Sequence, residues 1–375
     1  MHCALSMTRR IHILFAALLL AVHPIASSAE SKESKDPKDA KHRKLSSEER
    51  MTFFRTAQVW APTPVAEMNI RQGPSGKDAL APDQAVECEF SPSKQTGSSK
   101  KFNCMLADGD VVKVRYGADN GEVEGTVLAS RLLWALGFGA DAAYPVRVIC
   151  HGCSDDPWNK RERTHETHEF NIAIIERKAP GHEMHGDPDG WSWTELNFVD
   201  DTQGGAPRHQ RDALKLLAVF IQHTDNKAVQ QKLYCLPKGL TDDGTCTRPF
   251  LLVHDVGLTF GHANYLNRNN TSSVNFEQWS ETPVWRDKEK CVGHLSKSST
   301  GTLGDPKISE EGRAFLAGLL DQLTDTQLSD LFTIGHVEWR SRKPGSPKPP
   351  ASVDEWVNAF KQKRAEIDTT RCPAN

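Results

Sequence analysis

The sequence predicts a mixed α+β fold, with strands around a single helix first and helices afterwards, and three observations carry that prediction. VECEF, KFNCML and VVKVRYG read as three successive strands; in the last, Val112, Val114 and Tyr116 alternate with Lys113 and Arg115, the period of a half-buried strand. GEVEGTVLASRLLWALGFG then places Val123, Val127, Leu128, Leu132 and Leu136 at helical spacing, with Gly137 and Gly139 as stop signals. The chain has 375 residues, more than one small core usually accommodates, so one large domain of two lobes or two small domains is expected.

From the start of the chain, Arg9 and Arg10, the apolar IHILFAALLLAV and the small residues Ser27-Ser28-Ala29 read as a secretory signal over residues 1–29, with Met7 an alternative start and an uncleaved anchor the competing reading. Residues 30–52, polar and charged at their start, are expected to be a disordered leader. A β-rich part over residues 53–178 follows; AAYPVRVIC and FNIAIIERK supply two further strands after the helix. Residues 179–341 are expected to be mainly helical, with helices in WSWTELNF, RHQRDALKLLAVFIQ and ISEEGRAFLAGLLDQLTDTQLSDLFTI. Residues 342–375 hold the Pro-rich SRKPGSPKPP region and a last amphipathic helix, VDEWVNAFKQKRAEI. No segment after the signal is apolar for long enough to span a bilayer. With 46 basic and 49 acidic residues, no field argues for nucleic acid or an anionic membrane surface.

Nine cysteines are present, and Cys3 leaves with the signal. An even remainder in an exported chain, secreted or periplasmic, favours disulfides. Cys88 and Cys104 lie in strand-like runs joined by SPSKQTGSSK, and Cys235 and Cys246 flank LPKGLTDDGT, so each pair is placed to staple a hairpin. Cys150-His-Gly-Cys153 can close on itself, which leaves Cys291 for Cys372; spacing alone does not fix the connectivity. The competing reading is a metal site built on CHGC with His151, His165, His168, His182 and His185, although a single C-x-x-C lacks the second pair a tetrahedral zinc site wants.

The apolar helix RDALKLLAVFIQ delivers a polar loop, HTDNKAVQ; a hairpin follows, KLYCL and RPFLLV; the chain then emits HDVG. This order resembles the protein-kinase-like fold: HTDNKAVQ is similar to the catalytic loop H-R-D-x-K-x-x-N, and HDVG stands where D-F-G stands. The resemblance covers roughly residues 70 to 262. It implies a two-lobed α+β architecture, with an antiparallel β-rich lobe carrying one helix and a mainly helical lobe, to which the cysteine spacing adds that it is disulfide-stapled. It also implies a phosphotransferase that uses ATP and Mg²⁺ on a hydroxyl of a protein, sugar or lipid. By the same resemblance Asp225 is the base and Lys227 steadies the transferred group, while Gln230 and Asp255 hold the metal. Lys113 is the preferred phosphate-binding cation, with Arg115 on the same strand face and Glu122 or Glu124 as its partner. Gly73 and Gly76, in RQGPSGKD, are the candidates for a phosphate-covering turn.

Three departures move the resemblance toward the divergent branch of HipA-like, phosphatidylinositol-kinase-like and secreted casein-kinase-like enzymes. Thr224 replaces the loop arginine, no G-x-G-x-x-G precedes the lysine strand, and there is no A-P-E. Each motif also has a plainer reading: Asp225 and Asn226 as turn formers, Asp255-Val-Gly257 as a strand-end turn, Lys113 as a solvated residue. Two other classes compete: a non-catalytic kinase-like binding module, favoured by Gln230, Thr224 and the scarcity of ATP outside the cytoplasm, and an exported metal- or redox-active protein using CHGC. Trp279 and Trp285 are expected to pack, and Asn269 and Asn270 begin glycosylation acceptors.

Overall fold

Alternation becomes inward-facing side chains in the computed structural model, which describes residues 44–97, 99–118, 120–261, 275–339 and 349–374. All of these belong to one of two units of the chain, residues 37–375. Strands β1 (Gln84–Ser91), β2 (Lys101–Met105), β3 (Val111–Tyr116), β4 (Ala142–His151) and β5 (Thr167–Arg177) close into a barrel in the order β1-β2-β3-β5-β4. Its core contains Val86, Phe90, Phe102, Val114, Tyr116, Val148, Phe170 and Ile175. The expectation of a wholly antiparallel sheet is corrected here, because β1 pairs with β4 in parallel, from Gln84 opposite Val146 to Glu89 opposite His151. Only this pairing closes the circle, and it gives residues 146–151 of β4 a neighbour on each side, β1 and β5.

Helix α2 (Gly121–Ala135) is buried at every position except Trp134, as befits a helix covered on all sides. Val123 and Val127 pack with Ala143 and Ile174 of the barrel, whereas Leu128, Leu132 and Leu133 join the larger core of the helical part. That part contains α3 (Arg208–Phe220), α4 (Phe276–Glu281), α5 (Glu310–Leu320), α6 (Asp325–Ile334) and α7 (Val353–Thr369), with the small sheet β6 (His182–Met184), β7 (Lys232–Cys235) and β8 (Pro249–Leu252), and a two-stranded pair, β9 (Trp285–Asp287) and β10 (Val292–Gly293). Trp279 and Trp285 are both buried, and Trp279 stacks on Trp356 of α7 with ring centres 5.2 Å apart.

Helix α1 (Ser47–Thr56) begins inside the stretch expected to be a disordered leader. A capping box between Ser46 and Glu49 starts it; Leu45, Phe53 and Phe54 are buried together with Arg50, which pairs with Glu195, while Lys44 and Glu48 are exposed. WSWTELNF, expected to be an α-helix, forms a short 3-10 helix over Trp193–Phe198, with Trp191 and Trp193 buried on either side of the Ser192 cap. Four disulfides join Cys88 to Cys104, Cys150 to Cys153, Cys235 to Cys246 and Cys291 to Cys372. No helix among the described residues is long and apolar enough to cross a membrane. The expected signal, the first part of the leader, the two glycosylation acceptors and most of the Pro-rich linker lie outside the described residues.

Candidate active site

Helix α3 stops at a Schellman-type end, where Gln222 takes a left-handed conformation at φ 56°. The Gln222 N–H donates to Val219 O at 3.0 Å and the His223 N–H to Ala218 O at 2.8 Å, so the last carbonyls are satisfied and the chain is thrown out of the helix axis. His223 then sits buried beside the Trp193 ring, and burial pushes its imidazole down to about 4. Asn226, wholly buried, accepts from the Thr302 and Leu303 N–H groups at 2.7 and 2.8 Å and donates to Leu303 O at 3.1 Å. It also donates to His223 O at 2.9 Å, so it ties the loop both to itself and to the segment around residue 302.

Asp225, next to that anchor, receives Lys227 Nζ at 2.9 Å, Gln230 Nε2 at 3.1 Å and the Ser298 hydroxyl at 3.2 Å. The same Gln230 Nε2 donates to Asp255 at 2.9 Å, so one amide joins the two aspartates of the two sequence motifs. Its Oε1 accepts from the Lys227 N–H at 3.1 Å. Asp255 follows β8 with φ 53°, a conformation rare for a non-glycine residue and one that persists only when its surroundings hold it. Two residues later, a Cβ on Gly257 would lie 2.8 Å from Glu122 Cβ, so glycine is what lets the first turn of α2 close on this segment.

The barrel supplies the cations. Arg115, buried to 2 % exposure, pairs with Glu122 of α2, with Glu176 of β5 and, at 2.8 Å, with Asp255. Lys113 pairs with Glu176, which lies directly across from it in the β3–β5 ladder. Thus Arg115 makes the contact to the helix glutamate that was expected of Lys113. Glu122 takes that contact, while Glu124, two positions on and so on another side of the helix, lines a small cavity with Asp83, Asn171 and His336. Burial raises the Glu176 carboxyl, but Arg115 and Lys113 outweigh it and hold it at about 2. Burial likewise opposes ionisation of Asp255, and again the Arg115 guanidinium prevails, keeping the carboxyl far below its usual range. Lys101, opposite Arg115 on β2, is pushed down to about 8 by burial and by the Arg115 charge.

A cavity of about 790 Å³ opens beside this cluster, walled by residues 74–79 and by Lys113, Trp134, Asp141, Tyr144, Glu176 and Lys178. Gly76 is on its wall with nothing within 4 Å of an added Cβ. Gly73 has a packing reason instead: at φ 77°, an added Cβ would fall 0.5 Å from the Arg131 guanidinium. Sequence reasoning missed Glu176, Lys101, Ser298 and Asp141, which reach the site through pairings distant in the chain; Asp141 does so by meeting His254 of HDVG at 2.9 Å.

Cys150 and Cys153 are joined to each other, as expected, which removes their thiolates from the competing metal reading of CHGC. The Cys88, Cys104 and Cys150 sulfurs do gather within 4.8 Å, yet each is in a disulfide and none is a thiolate. The nearby histidines go separate ways, His151 to the Thr167 hydroxyl, His168 to Glu166 and His185 to Asp189.

No family model and no curated protein matches the chain. Among solved structures it is similar to a Helicobacter pylori proinflammatory kinase, CtkA, at 10% identity and a TM-score of 0.38, over 77% of this chain and 95% of that one. It is also similar to a Golgi casein kinase with Mn/ADP bound, at 11% identity and a TM-score of 0.34, over 76% of this chain and 72% of that one. A further Golgi casein kinase structure gives 12% identity and a TM-score of 0.32, over 93% and 94%.

Proposed function

We propose that the chain is an exported kinase-like phosphotransferase of two lobes, the barrel and the helical part, that moves the γ-phosphate of ATP to a hydroxyl. The observation that carries this reading is the Gln230 amide spanning Asp225 and Asp255. It brings two carboxylates from separate motifs to one point, with Arg115 and Glu122 against the second of them. Phosphoryl transfer needs little covalent work from the protein but requires a base, a metal site and cations on the phosphates, all close together.

Asp225 is the base. It is partly exposed, and its Lys227 partner is a point charge suited to an oxygen of the transferred group. Asp255 and Gln230 would hold Mg²⁺, a hard ion that takes oxygen donors: the Asp225 and Asp255 carboxylates converge on the Gln230 amide, whose oxygen faces them once the amide is turned over. Bound there, the ion would neutralise charge on the phosphates. Lys113 and Lys101 are the barrel cations for those phosphates, because Arg115 is already balanced by three carboxylates. The cavity walled by Gly76, Lys113 and Trp134 takes the nucleotide. The acceptor is a hydroxyl of a protein, sugar or lipid.

A non-catalytic nucleotide-binding module is the second reading. It is favoured by one contact: the Gln230 oxygen is engaged by the Lys227 N–H while the nitrogen faces the carboxylates. Gln230 has to turn its amide over to become a metal ligand.

Two variants test the proposal. Asp255→Asn is expected to weaken nucleotide binding and its Mg²⁺ dependence, whereas Asp225→Asn keeps binding and lowers turnover by roughly 10²–10⁴-fold. Calorimetric titration beside a turnover assay reads both. Equal affinity in wild type and Asp255→Asn defeats the metal assignment, and tight binding without turnover in any protein favours the non-catalytic module.

A further inference from the structure

The segment HLSKSSTGTLGD, residues 294–305, does not belong to either sequence motif, yet it is fastened to the Asp225 loop at several points. The Ser298 N–H donates to Thr224 O at 2.8 Å, the Thr302 hydroxyl to Asn226 O at 3.1 Å, and the Asn226 side chain binds both faces of residues 302 and 303. Lys297 Nζ closes the turn onto Gly301 O at 2.8 Å. These contacts hold the half-buried Ser298 in one place, with its Oγ donating to Asp225 Oδ1 at 3.2 Å. Lys227 Nζ lies 2.9 Å from that same carboxylate oxygen.

A general base within hydrogen-bond reach of a serine hydroxyl is the arrangement an acceptor adopts before transfer. Ser299 and Thr300, its neighbours, are exposed. We propose that Ser298 is a modification site, the chain's own phosphoryl acceptor, labelled within one molecule. This rests on the phosphotransferase reading above. In the step, the Ser298 Oγ–P bond forms as the bond between the γ-phosphorus and its bridging oxygen breaks; the hydroxyl proton passes to Asp225 and then to solvent, and the products are phosphoserine and ADP.

The modification changes the site. A phosphate of nearly two negative charges beside the Asp225 carboxylate is repelled, and the hydroxyl that donated to Asp225 no longer exists. Residues 297–300 then leave the base, which becomes open to an external hydroxyl, while Asn226 still anchors residues 302 and 303.

The test uses the full chain with its disulfides intact, Mg²⁺ and labelled ATP, with phosphopeptide mapping by mass spectrometry and parallel calorimetric titration of Mg²⁺–ATP. Phosphate is expected on Ser298, at an initial rate per molecule that does not change on dilution. Ser298→Ala abolishes the label, Ser298→Thr retains it, and Ser299→Ala leaves it unchanged. A chain that binds Mg²⁺–ATP but carries phosphate only elsewhere, or only in a concentration-dependent way, overturns the Ser298 assignment and spares the phosphotransferase reading. So does a wild-type chain that phosphorylates an added hydroxyl acceptor without labelling itself, with Ser298→Ala merely slower: Ser298 then only positions Asp225. A chain that binds no nucleotide overturns both.

Discussion

Arg115 and Asp225 are both charged centres of one site, but they are held in opposite ways. Arg115 is buried on a barrel strand and saturated by Glu122, Glu176 and Asp255. Asp225 is on a loop, partly exposed, and meets one ammonium, one amide and one hydroxyl. A group bound by three opposite charges in a desolvated wall is a structural fixture, since removing it strands its partners. A group bound by a mixed and half-solvated set can exchange partners at small cost, as the role of base proposed for Asp225 requires. The same motif-bearing site is therefore rigid on its barrel side and adjustable on its loop side.

The largest expected effect breaks this contrast from the rigid side. Arg115→Met leaves Glu122 and Asp255 without their cation and Glu176 with Lys113 alone, and is expected to cost about 3–5 kcal/mol of folding stability in chemical denaturation. Asp225→Asn is expected to change stability by less than about 1 kcal/mol in the same experiment. Equal losses would mean that the loop aspartate is as structural as the barrel arginine.

His223 sharpens the contrast from the loop side, because it is the buried member of HTD. Its folded value of about 4 lies below the ordinary 6.5, so the unfolded chain binds the proton more readily between those limits. Stability from the neutral ring is present above about pH 6.5 and is lost as pH falls toward 4. The loss approaches on the order of 3 kcal/mol. Comparing denaturation at neutral and mildly acidic pH in wild type and His223→Phe checks it; an acid slope unchanged by the substitution removes the assignment.

The smallest effect concerns Lys101, held at about 8 beside Arg115. Its charge is present below that pH and absent above it, so Mg²⁺–ATP affinity is expected to fall as pH rises through this range. Lys101→Met, already neutral, should bind several-fold more weakly near neutrality and lose the pH dependence. Titrations at two pH values on each protein decide it.

The sequence was most informative where chemistry follows local spacing. A strand period of two places Lys113 and Arg115 on one face, and a helical turn lets only one of Glu122 and Glu124 meet them. The four disulfides follow the pairings that hairpin spacing and elimination favoured. What escaped was whatever depends on pairing across the chain. Glu176 reaches Lys113 through the β3–β5 register, Lys101 reaches Arg115 through β2–β3, and Ser298 reaches Asp225 from 73 residues away. The parallel β1–β4 contact is of the same kind, because the alternation in β1 is identical whichever way its neighbour runs. The charged residues around α1 misled for another reason: Lys44 and Glu48 are on the wet side of a helix that buries Phe53 and Phe54, and Arg50 is buried with them against Glu195.

The barrel's closure by β1 and β4 bears on how other molecules recognise this region. Partners that bind by lending a strand need a free backbone ladder, and residues 146–151 of β4, paired with β1 on one side and β5 on the other, offer none. A molecule that docks there has to read side chains and connecting loops, such as the Cys150–Cys153 turn, instead of main chain. Its specificity there can change by substitution in those loops while the ladder beneath them stays intact.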